Sequence, residues 1–120
     1  MKRKLDLLLC IITILSLAFS IGCSNDPRFS VSNTSMSVDY SEYLGYTAYV
    51  NGTLTNNSMK DYDYIQIEFS VYDSNGTKLG TAIDNATYLG SGETWSFSAM
   101  LLDFPSSRPA SYKLVDISGW

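Results

Sequence analysis

From Tyr64 to Tyr72 the chain alternates without a break. Ile65, Ile67, Phe69 and Val71 fall on one side, and Tyr64, Gln66, Glu68, Ser70 and Tyr72 on the other. In an extended strand successive side chains point to opposite faces, so this run specifies a half-buried β-strand with one apolar face. A helix would scatter the same residues around its circumference. Asp73-Ser74-Asn75-Gly76 follows directly, a turn in which Gly76 can adopt positive φ without a steric penalty.

The same period recurs along the chain. Tyr46, Ala48, Val50, Gly52 and Leu54 share a face of one expected strand, which Asn56-Asn57-Ser58 ends. Leu79, Thr81 and Ile83 predict the return strand after the Gly76 turn. Gly90-Ser91-Gly92 precedes another strand, with Trp95, Phe97 and Ala99 on one side. In the last strand Tyr112, Leu114 and Asp116 alternate with Lys113, Val115 and Ile117. A first edge strand is expected to start near Val31 or Met36. Short strands at regular spacing, with no helical pattern beyond residue 22, predict an all-β fold. The expected architecture is a small immunoglobulin-like antiparallel β-sandwich of about six or seven strands.

The N-terminus has a different grammar. Lys2, Arg3 and Lys4 precede an uncharged apolar run, residues 7–21, that is too short for the roughly 20 residues of a permanent span. Ser20-Ile21-Gly22-Cys23 then resembles a lipobox, with Ser20 where leucine is usual. Residues 1–22 therefore read as a lipoprotein signal and Cys23 as the lipidated residue. Residues 23–37, rich in Ser, Asn, Asp and Thr, read as a flexible tether, and residues 38–120 as the domain. This places the protein on the extracytoplasmic face of a cell membrane, held by two or three acyl chains, since one binds only marginally.

Composition narrows the chemistry. Cys10 and Cys23 are the only cysteines, so cleavage before Cys23 leaves no intramolecular disulfide, and there is no histidine. Loss of Lys2, Arg3, Lys4 and Asp6 leaves five basic against eleven acidic residues, a net charge of −6. That balance argues against nucleic acid as a partner and leaves lipid as the route to the membrane. There is no Gly-x-Ser-x-Gly elbow and no phosphate loop, and Asp61 and Asp63 flank Tyr62 without forming an acid–base pair. The expectation is a protein that is not an enzyme, with no cofactor and no metal.

Phe69-Ser70-Val71-Tyr72-Asp73 resembles the F-x-L-Y-D signature of the FxLYD domain, with Val71 in place of leucine. Tyr49-Val50-Asn51-Gly52-Thr53-Leu54 upstream fits the same family, as does Leu79-Gly80-Thr81-Ala82 downstream. Leu89-Gly90-Ser91-Gly92 through Phe97 resembles the family's later Gly-containing stretch, with Ser91 where proline is common. The resemblance covers residues 45–118 and implies an immunoglobulin-like β-sandwich of a bacterial or archaeal cell-envelope lipoprotein. It implies no catalytic residues. Phe69, Val71, Tyr72, Asp73 and Gly76 are the signature positions and are expected to act structurally. Asp73 with Asn75 is the weaker alternative, a calcium site, although the remaining oxygens of a calcium loop are missing.

Nine tyrosines supply the candidate surface. Tyr49, Tyr64 and Tyr72 fall on the faces opposite the apolar ones. They are expected either to pack across strands or to present a patch for an envelope protein or glycan. Together these readings predict a monomeric, lipid-anchored binding or structural domain. The alternative is a small-ligand or calcium sensor acting as an accessory subunit of an envelope complex.

Overall fold

The structure, a computed structural model, describes residues 26–120. The expected signal segment and Cys23 lie outside the described residues. Six strands follow one another: β1 (Phe29–Ser41), β2 (Gly45–Asn56), β3 (Ile65–Tyr72), β4 (Lys78–Ala86), β5 (Thr94–Leu101) and β6 (Ser111–Gly119). They form one antiparallel sheet in the order β1-β2-β5-β4-β3-β6, and no helix interrupts them. The domain is all-β and sandwich-like, as the alternating pattern predicts.

The sheet curls because its centre is nearly unzipped. β4 and β5 pair only at Ala82↔Leu101 and Ile83↔Met100. Beyond that point the Asp84 Oδ2 accepts the Ser98 N–H at 2.7 Å, so a carboxylate replaces the next rung of the ladder. The halves β1-β2-β5 and β4-β3-β6 then fold toward each other. Phe69 meets Phe97 with ring centroids 5.7 Å apart, and Ile65, Ile67, Val71, Val50, Leu54 and Leu101 are fully buried around them. Closure brings the two sheet edges together where the Tyr112 hydroxyl of β6 donates to Thr34 Oγ1 of β1 at 3.0 Å.

β3 and β5 follow the alternation residue by residue, and three other elements depart from it. The first is the tether. Strand β1 starts at Phe29, so residues 29–37 are sheet and not spacer, with Phe29 and Val31 in the core opposite Asn56 and Leu54. A bulge between Ser32 and Ser35, with Asn33 at φ 55°, shifts the register. The break in period hides the strand within its polar composition.

The second departure is β4. Phe69 pairs with Ala82, so Ala82 and Gly80 face the core, and Thr81 and Ile83 lie on the outer side. The apolar set Leu79, Thr81 and Ile83 is thus not the buried one. The third is β6. A bulge places Leu114 opposite Phe69 and Asp116 opposite Glu68, which makes Val115 the extra residue. Tyr112, Leu114 and Ile117 therefore line the core, and Asp116 turns outward.

Phe69, Val71, Tyr72, Asp73 and Gly76 keep this frame in place. Phe69 and Val71 are buried, and Tyr72 is half-buried at the end of β3, where its carbonyl accepts the Ala110 N–H. The Asp73 Oδ1 accepts the N–H groups of Asn75 and Thr77 at 2.9 and 3.0 Å, and Gly76 takes φ 83°. A carboxylate turned onto its own turn in this way holds the β3–β4 hairpin shut.

Candidate functional site

Strand register fixes two ends of the domain. One end collects the start of β1, the 56–63 and 86–93 loops and Trp120; the other collects the β1–β2 hairpin, the 73–77 turn and the loop after β5. The thirteen residues of β1, at about 3.3 Å each, separate these ends by about 40 Å.

At the hairpin end the Ser41 Oγ accepts the N–H groups of Tyr43 and Leu44, at 3.1 and 3.3 Å. Gly45 closes the loop at φ 94°, the left-handed position that a three-residue hairpin requires. An added Cβ at Gly45 would lie 2.9 Å from the Pro105 carbonyl, which also accepts the Tyr46 N–H at 3.0 Å. The 102–110 loop is thereby fastened against the hairpin base.

This tight turn drives large side chains into solvent. Tyr43 is 95% exposed, Tyr40 62%, Leu44 56% and Phe104 43%. The Tyr40 and Tyr46 rings meet at 4.8 Å and 57°, and the Arg108 guanidinium stands 5.9 Å from the centre of the Tyr46 ring. Asp39 and Glu42 lie beside the aromatic residues in sequence. Tyrosine and arginine are the side chains that most often dominate protein interfaces, because a rigid ring with a polar end loses little entropy on contact. Here they are gathered on a backbone locked by its own turn.

Tyr49, Tyr64 and Tyr72 are not brought into one patch. Tyr49 sits on the outer face of β2 between Ser37 and Met100. Tyr64 and Tyr72 are eight residues apart along one chain, about 26 Å in extended backbone. Tyr64 packs its ring on Trp120 at 4.7 Å and donates its hydroxyl to Gln66 Oε1 at 2.9 Å. The surface that does form was marked in the sequence by Tyr40-Ser41-Glu42-Tyr43-Leu44-Gly45-Tyr46. Three tyrosines there surround a turn glycine, so they cannot all alternate into a core.

At the opposite end Tyr62, 2% exposed, is a hub. The Arg28 Nη1 donates to its hydroxyl at 3.0 Å, and the Lys60 ammonium lies 5.1 Å from its ring centre. Arg28 also grips Asp26 through Nε and Nη2, which holds the Asp26 carboxyl below its ordinary range. Partial desolvation, together with the neighbouring Asp61 and Glu93 charges, raises the phenol of the half-exposed Tyr88 above its usual value. Among the described residues no group of three His, Cys, Asp or Glu side chains is arranged to hold a metal.

No protein-family model matches the chain, and no curated protein matches it. Among solved structures it is similar to a DUF1425 family member from Shewanella sp. pv-4, at 18% identity and a TM-score of 0.49 over 88% of this chain and 93% of that one. It is also similar to part of a β-glucuronidase from Bacteroides uniformis, at 19% identity and a TM-score of 0.47, over 73% of this chain and 13% of the enzyme. Likenesses at this level carry no statement about activity; the strand register itself defines the β domain.

Proposed function

We propose that this chain is a lipid-anchored, extracytoplasmic binding domain of the FxLYD type. In this reading it is held at the cell membrane through Cys23, performs no catalysis, and contacts another envelope component through its β1–β2 hairpin. The observation that carries the reading is the exposed group of Tyr40, Tyr43 and Leu44 at the β1–β2 hairpin, with Phe104 of the loop fastened to its base, about 40 Å from where the chain enters the domain. The acidic balance supports attachment by lipid, because charge gives no attraction to an anionic surface. Phe69, Val71 and Asp73 act as architecture, since their side chains are spent on the core and on the 73–77 turn.

The test is photocrosslinking in intact cells, with a benzophenone amino acid at Tyr43 and, separately, at Lys113 on β6. The reading expects a discrete adduct from position 43 that is lost when Tyr40 and Leu44 are changed to serine. An adduct from position 113 that survives those changes, with none from position 43, would overturn it.

A further inference from the structure

The end opposite the hairpin is also not a neutral surface. Trp120 is 65% exposed there, Tyr88 53% and Met59 96%. All three project around the Tyr62 hub. Leu89, next to Tyr88, bridges to Tyr62, the Lys60 ammonium beside Met59 lies over its ring, and the Trp120 carbonyl accepts the Asp63 N–H. Arg28 and Lys60 stand in the same place. Tryptophan and tyrosine prefer the headgroup zone of a bilayer, and lysine and arginine can extend from that zone toward water.

Chain length says what faces this end. Three peptide steps separate Cys23 from Asp26, a reach of at most about 11 Å. Asp26 is itself fixed, because Arg28 holds its carboxylate and stacks on Phe29 at 4.9 Å while donating to Tyr62. A lipid on Cys23 therefore cannot sit far from this surface. The nearby carboxylates are largely engaged: Asp61 accepts the Ser91 N–H at 2.8 Å and Glu93 the Gly90 N–H at 2.7 Å.

We infer that this face docks on the bilayer that holds Cys23, with Trp120, Tyr88 and Met59 in the headgroup zone. The inference rests on the anchoring reading and goes beyond it by giving the domain one orientation, hairpin outward. Carboxylates outnumber cations here, so the fitting surface is zwitterionic and not anionic. Without docking, the same lipid would leave the domain free to tumble at the end of its linker.

The experiment uses the protein purified from membranes and reconstituted in phosphatidylcholine vesicles carrying brominated acyl chains. Trp120 emission is obtained as the difference between the wild type and Trp120→Phe, which separates it from Trp95. Intact mass is measured on the same sample. The expected result is an acylated Cys23, loss of most Trp120 emission to the brominated lipid, and little quenching by aqueous iodide. An acylated protein whose Trp120 is quenched by iodide and untouched by the brominated lipid would overturn docking while leaving anchoring intact. An unmodified Cys23 would overturn both.

Discussion

The hydroxyl of Tyr112 on β6 donates to Thr34 Oγ1 on β1 at 3.0 Å, joining strands at opposite ends of the sheet order and 78 residues apart in the chain. It is placed by the bulge that turns Asn33 to positive φ, without which Thr34 would continue the regular ladder. Burial raises the Tyr112 phenol above its ordinary value, and the hydrogen bond to Thr34 offsets part of that rise. Tyr112→Phe should lower stability by about 0.5–1.5 kcal/mol in urea titrations. A phenol whose folded value is raised contributes stability that is complete below its unfolded value, about 10, and is lost as pH rises through the folded value. The wild type should therefore lose more stability than Tyr112→Phe above about pH 10. Equal alkaline losses would contradict this role.

Asn56 is fully buried and fully used. Its amide donates to the carbonyls of Lys60 and Leu89, and its Oδ1 accepts from the N–H and hydroxyl of Ser58. Asn56→Ala should cost about 1–3 kcal/mol, because the Ser58 N–H loses its acceptor and the side-chain links from β2 to the Lys60 and Leu89 carbonyls are lost. Thermal melts would check it, and a change within error would show that the loops close without it.

Glu68 and Asp116 oppose each other on the outer face of β3 and β6. Like charges directly across a ladder destabilise it, so Glu68→Lys should raise stability by about 0.2–1 kcal/mol. The gain should shrink in high salt. A loss of stability at low salt would contradict the repulsion between Glu68 and Asp116.

Gly52 faces the core beneath Phe97, where an added Cβ would lie 2.7 Å from the ring and 3.1 Å from the Ser32 carbonyl. Gly52→Ala should cost about 1–3 kcal/mol by overpacking. A neutral result in the same urea titrations would mean that Phe97 turns aside freely.

The alternation of a sequence specifies the facing of a strand only where both of its neighbours are fixed. β3 was legible because Ile65, Ile67, Phe69 and Val71 have neighbours on both sides, and burial leaves no freedom in their facing. The facing of β4 and β6 was not. Gly80 and Ala82 reach the core because they are small, and Asp116 leaves it because Val115 bulges. Nor could alternation find the hairpin surface, since it exists through the turn made by Ser41 and Gly45 and the loop fastened on it by Pro105. Facing alone puts Tyr49, Tyr64 and Tyr72 on the outer side of their strands, but it carries no information on their spacing, and Tyr64 and Tyr72 stand at opposite ends of β3.

The most direct test of the account is the height of the two ends above the membrane. With Cys23 acylated, single thiols introduced by Tyr43→Cys and Met59→Cys can each carry a donor dye, with the acceptor in the lipid headgroups. The account predicts strong energy transfer from position 59 and weak transfer from position 43, with heights differing by about 40 Å, the length of β1. Equal transfer from the two positions, or stronger transfer from position 43, would contradict it.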